Sequence, residues 1–335
     1  MTRVAVMGAG SFGTVFAKVL TDAGGDVVLW GRRPEIVESI NDGRENGDYL
    51  PGVRLPTGMR ATLDPAEALE GAEFVFLAVP SQTLRGNLAE WGALIPEQAV
   101  LISLMKGIES HTSLRMSQVI EEVLGATTDR IATVCGPNFA MEIARGEPSA
   151  AVASCPDERT AQRVQQACMT PYFRVYTSTD LVGCELGGAV KNVIALCVGI
   201  ATGLGFGDST RALLITRGLA EIIRLGVALG AEAPTFAGLA GLGDLVGTCI
   251  SPLSRNRTFG ENLGRGMSLA EVIAVTKQTA EGVKSSEPVL ALAQKHDVEM
   301  PITEVVAAVV HHGLSIKEAG IRLMSRSPKP EQYGL

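Results

Sequence analysis

The feature that most constrains the fold of this chain is a glycine-rich turn close to its first residue. Gly8-Ala9-Gly10-Ser11-Phe12-Gly13 follows an apolar, strand-like run and leads into a helical pattern. In such a strand–turn–helix unit the first glycine allows the tight turn, the second allows close approach of a pyrophosphate, and the third allows helix–strand packing. The helix N-terminus then presents N–H groups to phosphates. The pattern predicts a dinucleotide site, and an ordinary tight turn is the alternative.

Short β-branched runs alternate with helical patterns through the first half of the chain. The expected strands are 3–7, 26–30, 74–79, 99–104, 131–135, 150–154 and 173–177. Several of these runs are apolar on both faces, as strands are when helices cover both sides of a parallel sheet. This alternation predicts an α/β fold, a Rossmann-like doubly wound sheet that binds NAD(P) within residues 1–178.

Only helical patterns follow Ser178. They cover 180–201, 208–229, 268–276, 283–295, 302–311 and 316–324, and Asp208 with Ser209 is expected to cap the second of them. We therefore predict an all-α domain at 179–335. Two domains also agree with the usual size of ~150 residues per domain.

Composition and charge exclude several classes of partner. The net charge of -7 argues against general affinity for nucleic acid or anionic membranes. Six scattered cysteines without a Cys-x-x-Cys pair predict free thiols in a reducing cytoplasm. The apolar stretch 193–207 is interrupted by glycines, so no membrane span is expected. The first strand begins close to Met1, so no targeting peptide is expected either.

Two arginines follow the second expected strand, in Trp30-Gly31-Arg32-Arg33. NAD-specific sites usually place Asp or Glu here, to bind the ribose 2′-hydroxyl. Arg32 and Arg33 suit a 2′-phosphate instead, so we expect NADP(H) to be accepted, with the preference between NADP(H) and NAD(H) left open. The alternative is that either arginine is a solvated surface charge.

Lys191 lies in a helical pattern that is apolar on nearly every face. Burial of an ammonium lowers its pKa toward the range useful for acid–base chemistry. Lys106 follows the expected strand 99–104, and a second lysine near one carbonyl would polarise its oxygen. The alternatives are a Lys191 side chain that reaches solvent from the helix edge and an ordinary loop lysine at 106.

Polar groups in two later segments could hold a substrate. Asp244 lies in an apolar, glycine-rich turn, where it could orient a lysine, accept a substrate hydroxyl or cap a helix. Ser254-Arg255-Asn256 supplies a hydroxyl, a guanidinium and an amide, which suits a phosphate, although a solvated basic loop is the alternative. The sequence has no Gly-x-Ser-x-Gly, Gly-Lys-Ser/Thr or His-Glu-x-x-His motif. No metal site is expected, because the adjacent His311 and His312 lack ligand spacing.

Longer segments match one enzyme family in order along nearly the whole chain. In the first half they are 8–14, 77–82 (Leu-Ala-Val-Pro-Ser-Gln), 106–109 (Lys-Gly-Ile-Glu) and 136–140 (Gly-Pro-Asn-Phe-Ala). In the second half they are 185–193, 216–221, 238–245 and 251–257. On these segments the chain resembles NAD(P)-dependent glycerol-3-phosphate dehydrogenases of the bacterial type.

The resemblance implies reversible hydride transfer between a nicotinamide and the central carbon of dihydroxyacetone phosphate, giving sn-glycerol 3-phosphate for phospholipid synthesis. It implies that Lys191 accepts the proton in oxidation and donates it in reduction, in a homodimer. The implied catalytic residues are Lys191, Lys106, Asn192 and Asp244. The implied substrate residues are Lys106, Gly136, Asn138, Lys191, Asp244, Ser254, Arg255 and Asn256. The implied cofactor residues are Gly8, Gly10, Ser11, Phe12, Gly13, Arg32, Arg33, Lys106, Ala140, Arg255, Thr279 and Glu281.

Three positions depart from the family pattern. Asn138 stands where the family usually has Ser or Thr, so an amide replaces a hydroxyl that would contact the substrate. Gly25 replaces a common His, and Thr279 replaces a usual Val. No departure removes a charged catalytic group.

Two other functions are compatible with parts of the sequence. A sibling dehydrogenase with a similar architecture could act on a 3-hydroxy acid, although the segment at Ser254 favours a phosphate. A nucleotide-binding sensor without catalysis is the other alternative, but it would have no need to bury the Lys191 ammonium.

Overall fold

The computed structural model describes residues 1–276 and 280–331, and the chain folds into two compact units. The first unit comprises Met1–Met105 and Met116–Leu181, and the second comprises Lys106–Arg115 and the chain from Val182 onward. The sequence predicts a single boundary near Ser178. The structure groups the segment 106–115 with the helices because Ile108 is fully buried among the core side chains of the second unit.

An eight-stranded sheet forms the centre of the first unit. Its strands are β1 (Arg3–Met7), β2 (Asp26–Trp30), β3 (Arg60–Thr62), β4 (Phe74–Leu77), β5 (Val100–Ser103), β6 (Ile131–Cys135), β7 (Ser149–Ser154) and β8 (Phe173–Ser178). Their spatial order is β3-β2-β1-β4-β5-β6-β7-β8. The strands from β3 to β6 are parallel, β7 is antiparallel to β6, and β8 is parallel to β7. The order reverses beside β1, and in such sheets ligands bind outside the carboxyl ends of the strands at that point.

Helices connect these strands, as the sequence predicts. They are α1 (Ser11–Asp22), α2 (Pro34–Glu38), α3 (Pro65–Leu69), α4 (Leu84–Trp91), α5 (Met116–Leu124), α6 (Ala140–Ala144) and α7 (Glu158–Cys168). Single turns of other helix types lie at Ser39–Gly43, Ser81–Thr83, Gly92–Leu94 and Thr128–Arg130. Helix α1 is fixed by Phe16, whose ring lies 6.3 Å from that of Phe76 and 5.6 Å from that of Phe173. Complete burial of such a side chain contributes about 1.5–3 kcal/mol to stability.

The described part of the second unit is built from helices. They are α8 (Leu181–Gly203), α9 (Asp208–Ala228), α10 (Asp244–Ile250), α11 (Arg255–Gly264), α12 (Leu269–Val275), α13 (Glu281–Lys295), α14 (Pro301–His311) and α15 (Ile316–Met324), with short turns at Ala233–Ala237 and Leu239–Gly243. Helices α10 and α11 are not predicted from the sequence, where their segments match a turn and a loop. The predicted cap of α9 is wrong, because Gly207 is the N-cap and Asp208 is the first helical residue, paired with Arg211.

Helix α8 forms the core of the second unit. Among the described residues it is the one helix long and apolar enough to cross a membrane, and 94% of its most apolar window is buried inside the protein. It packs against α11 at very short range, because a Cβ on Gly199 would lie 2.1 Å from the Arg257 carbonyl oxygen and one on Gly260 would lie 2.1 Å from that of Leu196. This contact fixes the start of α11 relative to the middle of α8.

Candidate active site

The glycine-rich turn of the first unit has the geometry that the sequence predicts. Gly8 adopts a φ of +131°, which favours glycine, and a Cβ on Gly13 would lie 1.8 Å from the Gly8 carbonyl oxygen. A Cβ on Gly10 would meet no heavy atom within 4 Å. Gly10 is the N-cap residue of α1, so no N-cap side chain bonds to the N–H groups of the first turn. The first turn of α1 therefore has the open approach that a pyrophosphate requires. Ser11 donates to the Tyr49 carbonyl oxygen at 3.3 Å, and the Phe12 ring packs 4.9 Å from that of Phe16.

Both arginines after β2 are exposed and already have partners within the first unit. Arg32 donates to Asn87 Oδ1 at 2.5 Å and lies 5.6 Å from the centre of the Trp30 ring. Arg33 pairs with the carboxylates of Glu35 at 2.6 Å and Asp48 at 2.7 Å. The guanidinium of Arg32 thus has a neutral hydrogen-bond partner, whereas that of Arg33 is held by two acidic side chains.

Gly136, Asn138 and Ala140 lie together after the end of β6. Gly136 has a φ of +140°, and Asn138 Nδ2 donates to the Ala150 carbonyl oxygen at 2.9 Å. This bond sets the orientation of the amide and leaves Oδ1 of Asn138 buried without a hydrogen-bond partner. An unsatisfied buried acceptor costs about 1–3 kcal/mol. Ala140 is the first residue of α6.

Two lysines and one aspartate meet in the second unit. Lys191 Nζ donates to Asp244 Oδ1 at 2.5 Å, and Lys106 Nζ donates to Asp244 Oδ2 at 2.8 Å. The side chains of Asp244 and Lys191 are only 2% and 6% exposed, and that of Lys106 is 15% exposed. One carboxylate therefore bridges two ammonium groups in a site with little solvent. Of the roles left open for Asp244, the two hydrogen bonds favour contact with lysines.

Burial of Lys191 lowers its pKa to about 8. The Asp244 carboxylate opposes this shift, and the Lys106 ammonium adds to it. Such a pKa suits a group that acts as a general acid or base near neutral pH. It does not reach solvent from the helix edge, which was the alternative interpretation.

Thr248 is a contact of Lys191 that the sequence analysis missed. Its hydroxyl accepts from Lys191 Nζ at 2.5 Å and lies 3.3 Å from Asp244 Oδ1. Asp244 and Thr248 share one face of α10 because they are one helical turn apart. The four-residue spacing can be read from the sequence. It places the two side chains on one face only if the segment is a helix.

A chain of buried amides extends from Lys106. Asn192 Nδ2 lies 3.3 Å from the Lys106 carbonyl oxygen, and Asn192 Oδ1 accepts from Asn256 Nδ2 at 3.0 Å. Asn256 Oδ1 in turn accepts from the Gly282 backbone N–H at 2.9 Å. The hydrogen bonds leave no freedom to flip either amide, so the network fixes the segment of Lys106, α8, α11 and α13 relative to one another.

The remaining predicted residues of the second unit lie at helix starts. The Ser254 hydroxyl caps α11 by accepting from Arg257 N at 3.3 Å, so it already has a structural role. Arg255 is the exposed first residue of α11, and Glu281 is the first residue of α13. The predicted loop at Ser254 is thus a helix N-terminus, which itself favours anions. Thr279 lies outside the described residues.

The predicted residues, apart from Thr279, divide between the two units, and those at the starts of α11 and α13 belong to the second. The structure brings Lys106, Lys191, Asn192, Asp244 and Asn256 into direct contact within the second unit. The glycine turn, both arginines, Gly136, Asn138 and Ala140 belong to the first unit. Among residues 1–276 and 280–331, no cluster of three or more His, Cys, Asp or Glu side chains could hold a metal ion.

Comparison with known proteins gives matches over the whole chain. The family described as NAD-dependent glycerol-3-phosphate dehydrogenase N-terminus matches residues 3–161, and the corresponding C-terminus family matches residues 180–320. The chain is 63% identical to the glycerol-3-phosphate dehydrogenase [NAD(P)+] of Thermobifida fusca over 336 residues, 100% of both chains. It is 63% identical to that of Streptomyces avermitilis, over 98% of both chains.

A solved structure supports the same relationship. The crystal structure of glycerol-3-phosphate dehydrogenase from Coxiella burnetii superimposes with a TM-score of 0.92 at 36% identity, covering 96% of this chain and 98% of that one. A ketopantoate reductase from Ralstonia eutropha has a TM-score of 0.59 at 17% identity, a likeness that concerns the fold alone.

Proposed function

Because this chain belongs to the NAD-dependent glycerol-3-phosphate dehydrogenase family, we propose that it interconverts sn-glycerol 3-phosphate and dihydroxyacetone phosphate, with Lys191 as the proton-transfer group. The observation that carries the proposal is the buried contact of Lys191 and Lys106 with Asp244. Burial of two ammonium groups around one carboxylate is costly for stability. It suits acid–base catalysis at a carbonyl, which needs a proton donor and positive charge beside the oxygen.

When bound, the nicotinamide supplies or takes up the hydride. In oxidation the central carbon of glycerol 3-phosphate loses a hydride, and the neutral amine of Lys191 takes the hydroxyl proton as the carbonyl forms. In reduction the Lys191 ammonium returns that proton to the developing alkoxide. Asp244 holds the amine in place through Oδ1, and Lys106 supplies positive charge beside the carbonyl oxygen.

We assign the phosphate of the substrate to the start of α11. Ser254, Arg255 and Asn256 supply a hydroxyl, a guanidinium and an amide there, and the helix N-terminus adds positive potential. Gly136 and Asn138 are assigned to the substrate on the family pattern, in which an amide at 138 can both donate and accept a hydrogen bond. An amide can thus replace the Ser or Thr that the family usually has at this position.

Most of the cofactor contacts are assigned to the domain at 1–178. The substrate is assigned to the domain at 179–335 together with Lys106, Gly136 and Asn138. The turn from Gly8 to Gly13 would hold the pyrophosphate, and Arg32 and Arg33 would face the ribose. The other proposed cofactor contacts are Lys106, Ala140, Arg255, Thr279 and Glu281. The open first turn of α1 supports this assignment.

The decisive experiment is the oxidation of NADPH, and separately of NADH, with dihydroxyacetone phosphate as substrate and unphosphorylated dihydroxyacetone as the control. We expect turnover only with the phosphorylated compound. If a folded protein that binds nucleotide shows no turnover with either cofactor, the sibling dehydrogenase acting on a 3-hydroxy acid or the sensor becomes the better interpretation.

Substitution of the two arginines is expected to separate the cofactors. Arg32→Ala should raise the KM for NADPH about 10-fold or more relative to that for NADH, because a hydrogen bond to a charged group contributes about 1.5–3 kcal/mol. Arg33→Ala should have the smaller effect, since its guanidinium is already paired with Glu35 and Asp48. Steady-state kinetics with both cofactors measure this, with the exposed Arg159→Ala as the control. Equal changes in both KM values would contradict a 2′-phosphate contact.

The reaction should depend on pH with opposite signs in its two directions. Oxidation needs the neutral amine of Lys191, so its kcat/KM should rise with pH through about 8. Reduction needs the ammonium, so its kcat/KM should fall as the pH rises through about 8. Profiles of both directions on the same preparation check this. If kcat/KM changes in the same sense with pH in both directions, at one midpoint, Lys191 is not the group that titrates.

Assembly as a homodimer and residence in the cytoplasm are also part of the proposal. The large apolar side chains of Leu204, Phe206 and Leu213 are about half exposed in the second unit, which suits a protein interface. All six cysteines are free, which suits a reducing compartment. Light scattering of wild type and Phe206→Glu would test the assembly.

A further inference from the structure

The segment that carries Lys106 is a small hairpin, Lys106–Arg115, which we call the lysine strap. Ile108 and Arg115 form an antiparallel bridge, and Glu109 N donates to the Leu114 carbonyl oxygen at 2.9 Å. Ser113 closes the turn with a φ of +58° and donates its N–H to the Glu109 carbonyl oxygen at 2.9 Å. A displacement of Arg115 therefore moves Ile108, and with it Lys106, because the two ends of the hairpin are hydrogen-bonded across.

The strap is attached to α8 along one face of that helix. Arg115 forms an ion pair with Glu185, whose side chain is 5% exposed. The methylene stem of Lys106 packs on Gly188, where a Cβ would lie 3.4 Å from Lys106 Cγ. Asn192 holds the Lys106 carbonyl oxygen. Residues three and four positions apart share a helix face, so Glu185, Gly188 and Asn192 form one row beneath the strap.

We propose that the Arg115–Glu185 ion pair is a positioning device for Lys106, which sets the place of its ammonium group relative to Asp244 and Lys191. Both residues would act on Lys106 through the strap. The proposal rests on the proposed function, in which Lys106 contacts the substrate.

The ion pair is suited to this task for two reasons. A buried charge without its partner is strongly unfavourable, so Glu185 allows Arg115 little freedom of position. A guanidinium also has a fixed planar geometry, which defines direction as well as distance. A displacement of only about 1 Å in a catalytic group can cost about 100-fold in rate, so a firm anchor outside the cluster has a catalytic consequence.

The test compares Glu185→Gln with Glu221→Gln. Glu221 is a matched control because it is also a buried carboxylate in the second unit, but it binds the start of α14 by accepting from Ile302 N at 2.6 Å and Thr303 N at 3.1 Å. With all assays run well below the melting temperature of each variant, Glu185→Gln should lower kcat/KM for the phosphorylated substrate about 10-fold, and Glu221→Gln should leave it within about 2-fold.

The pH profile supplies a readout that a purely structural role would not move. The Lys106 ammonium helps to lower the pKa of Lys191, so a displaced Lys106 should raise the midpoint of the profile in Glu185→Gln. The midpoint should stay unchanged in Glu221→Gln. An NMR titration of the lysine side chains measures the same shift without turnover, so the inference is tested even if the wild type does not accept glycerol 3-phosphate.

Substitution of the other partner completes the test. Arg115→Lys, which keeps the charge, should retain more activity than Arg115→Gln, and the double variant Arg115→Gln/Glu185→Gln should lose no more activity than either single variant. Suppose that the wild type is active. If Glu185→Gln then has the wild-type pH midpoint and a kcat/KM equal to that of the Glu221→Gln control, the positioning role is wrong. If the wild type itself is inactive, the proposed function fails, and the NMR shift alone decides the role of the ion pair.

Discussion

Lys191→Ala should lower kcat by about 10³-fold in both directions, because general acid–base catalysis contributes about 10²–10⁴-fold. The effect should appear in kcat and kcat/KM together, since proton transfer is an interaction made in the transition state. The dissociation constant for NADPH should stay within about 2-fold of the wild-type value, because Lys191 is not among the proposed cofactor residues. Stopped-flow measurement of NADPH oxidation and a fluorescence titration of cofactor binding give the two quantities.

The control for this substitution is Lys284→Ala, which removes an exposed lysine from α13 in the same unit. It should leave kcat unchanged. Wild-type activity in Lys191→Ala would refute the assignment of the proton-transfer group, even if the protein proved to be the expected dehydrogenase.

Asp244→Asn should have the second-largest effect, because it leaves two neighbouring ammonium groups without their shared carboxylate. Removal of one partner from a buried ion pair typically costs about 3–5 kcal/mol, and a loss of this order is expected in urea unfolding. Asp244 raises the pKa of Lys191, so its loss should move that pKa below about 8. A smaller fraction of the side chain would then be protonated at neutral pH, and reduction should slow, because less of its proton donor is present.

The midpoint of the pH profile distinguishes this electrostatic effect from misfolding. In Asp244→Asn the reduction activity that remains should titrate at a lower pH than in the wild type. Asp208→Asn is the matched control, because Asp208 also pairs with a basic side chain, that of Arg211, but its own side chain is 96% exposed. Exposed pairs contribute about 0–1 kcal/mol, so this variant should be nearly as stable and as active as the wild type. An unshifted midpoint in a folded, slow Asp244→Asn enzyme would contradict the role of its charge.

Local pattern was sufficient to predict the architecture of the first unit. Strands β1, β2 and β6 have the predicted bounds, because continuous β-branched runs between turn residues are typical of buried parallel strands. Strand β3 was missed, since a three-residue run such as Arg60–Thr62 shows no measurable period. Helices α10 and α11 were missed because α10 is short and follows a glycine-rich turn, and because the polar residues of α11 match loop composition. Contacts with α8 hold both helices, through close packing for α11 and through the hydrogen bonds of Lys191 for α10.

The sequence by itself determined the kind of site this protein has. A glycine turn between a strand and a helix indicates a dinucleotide, and a lysine in a helix that is apolar all round indicates a depressed pKa, because both conclusions depend only on near neighbours in the chain. Tertiary structure decided which groups act on that lysine. Asp244, Thr248 and Lys106 reach Lys191 from distant parts of the chain, and the Arg115–Glu185 ion pair joins two further segments. Such contacts depend on how helices pack, which no local period encodes, and they set the distances at which charges act on one another.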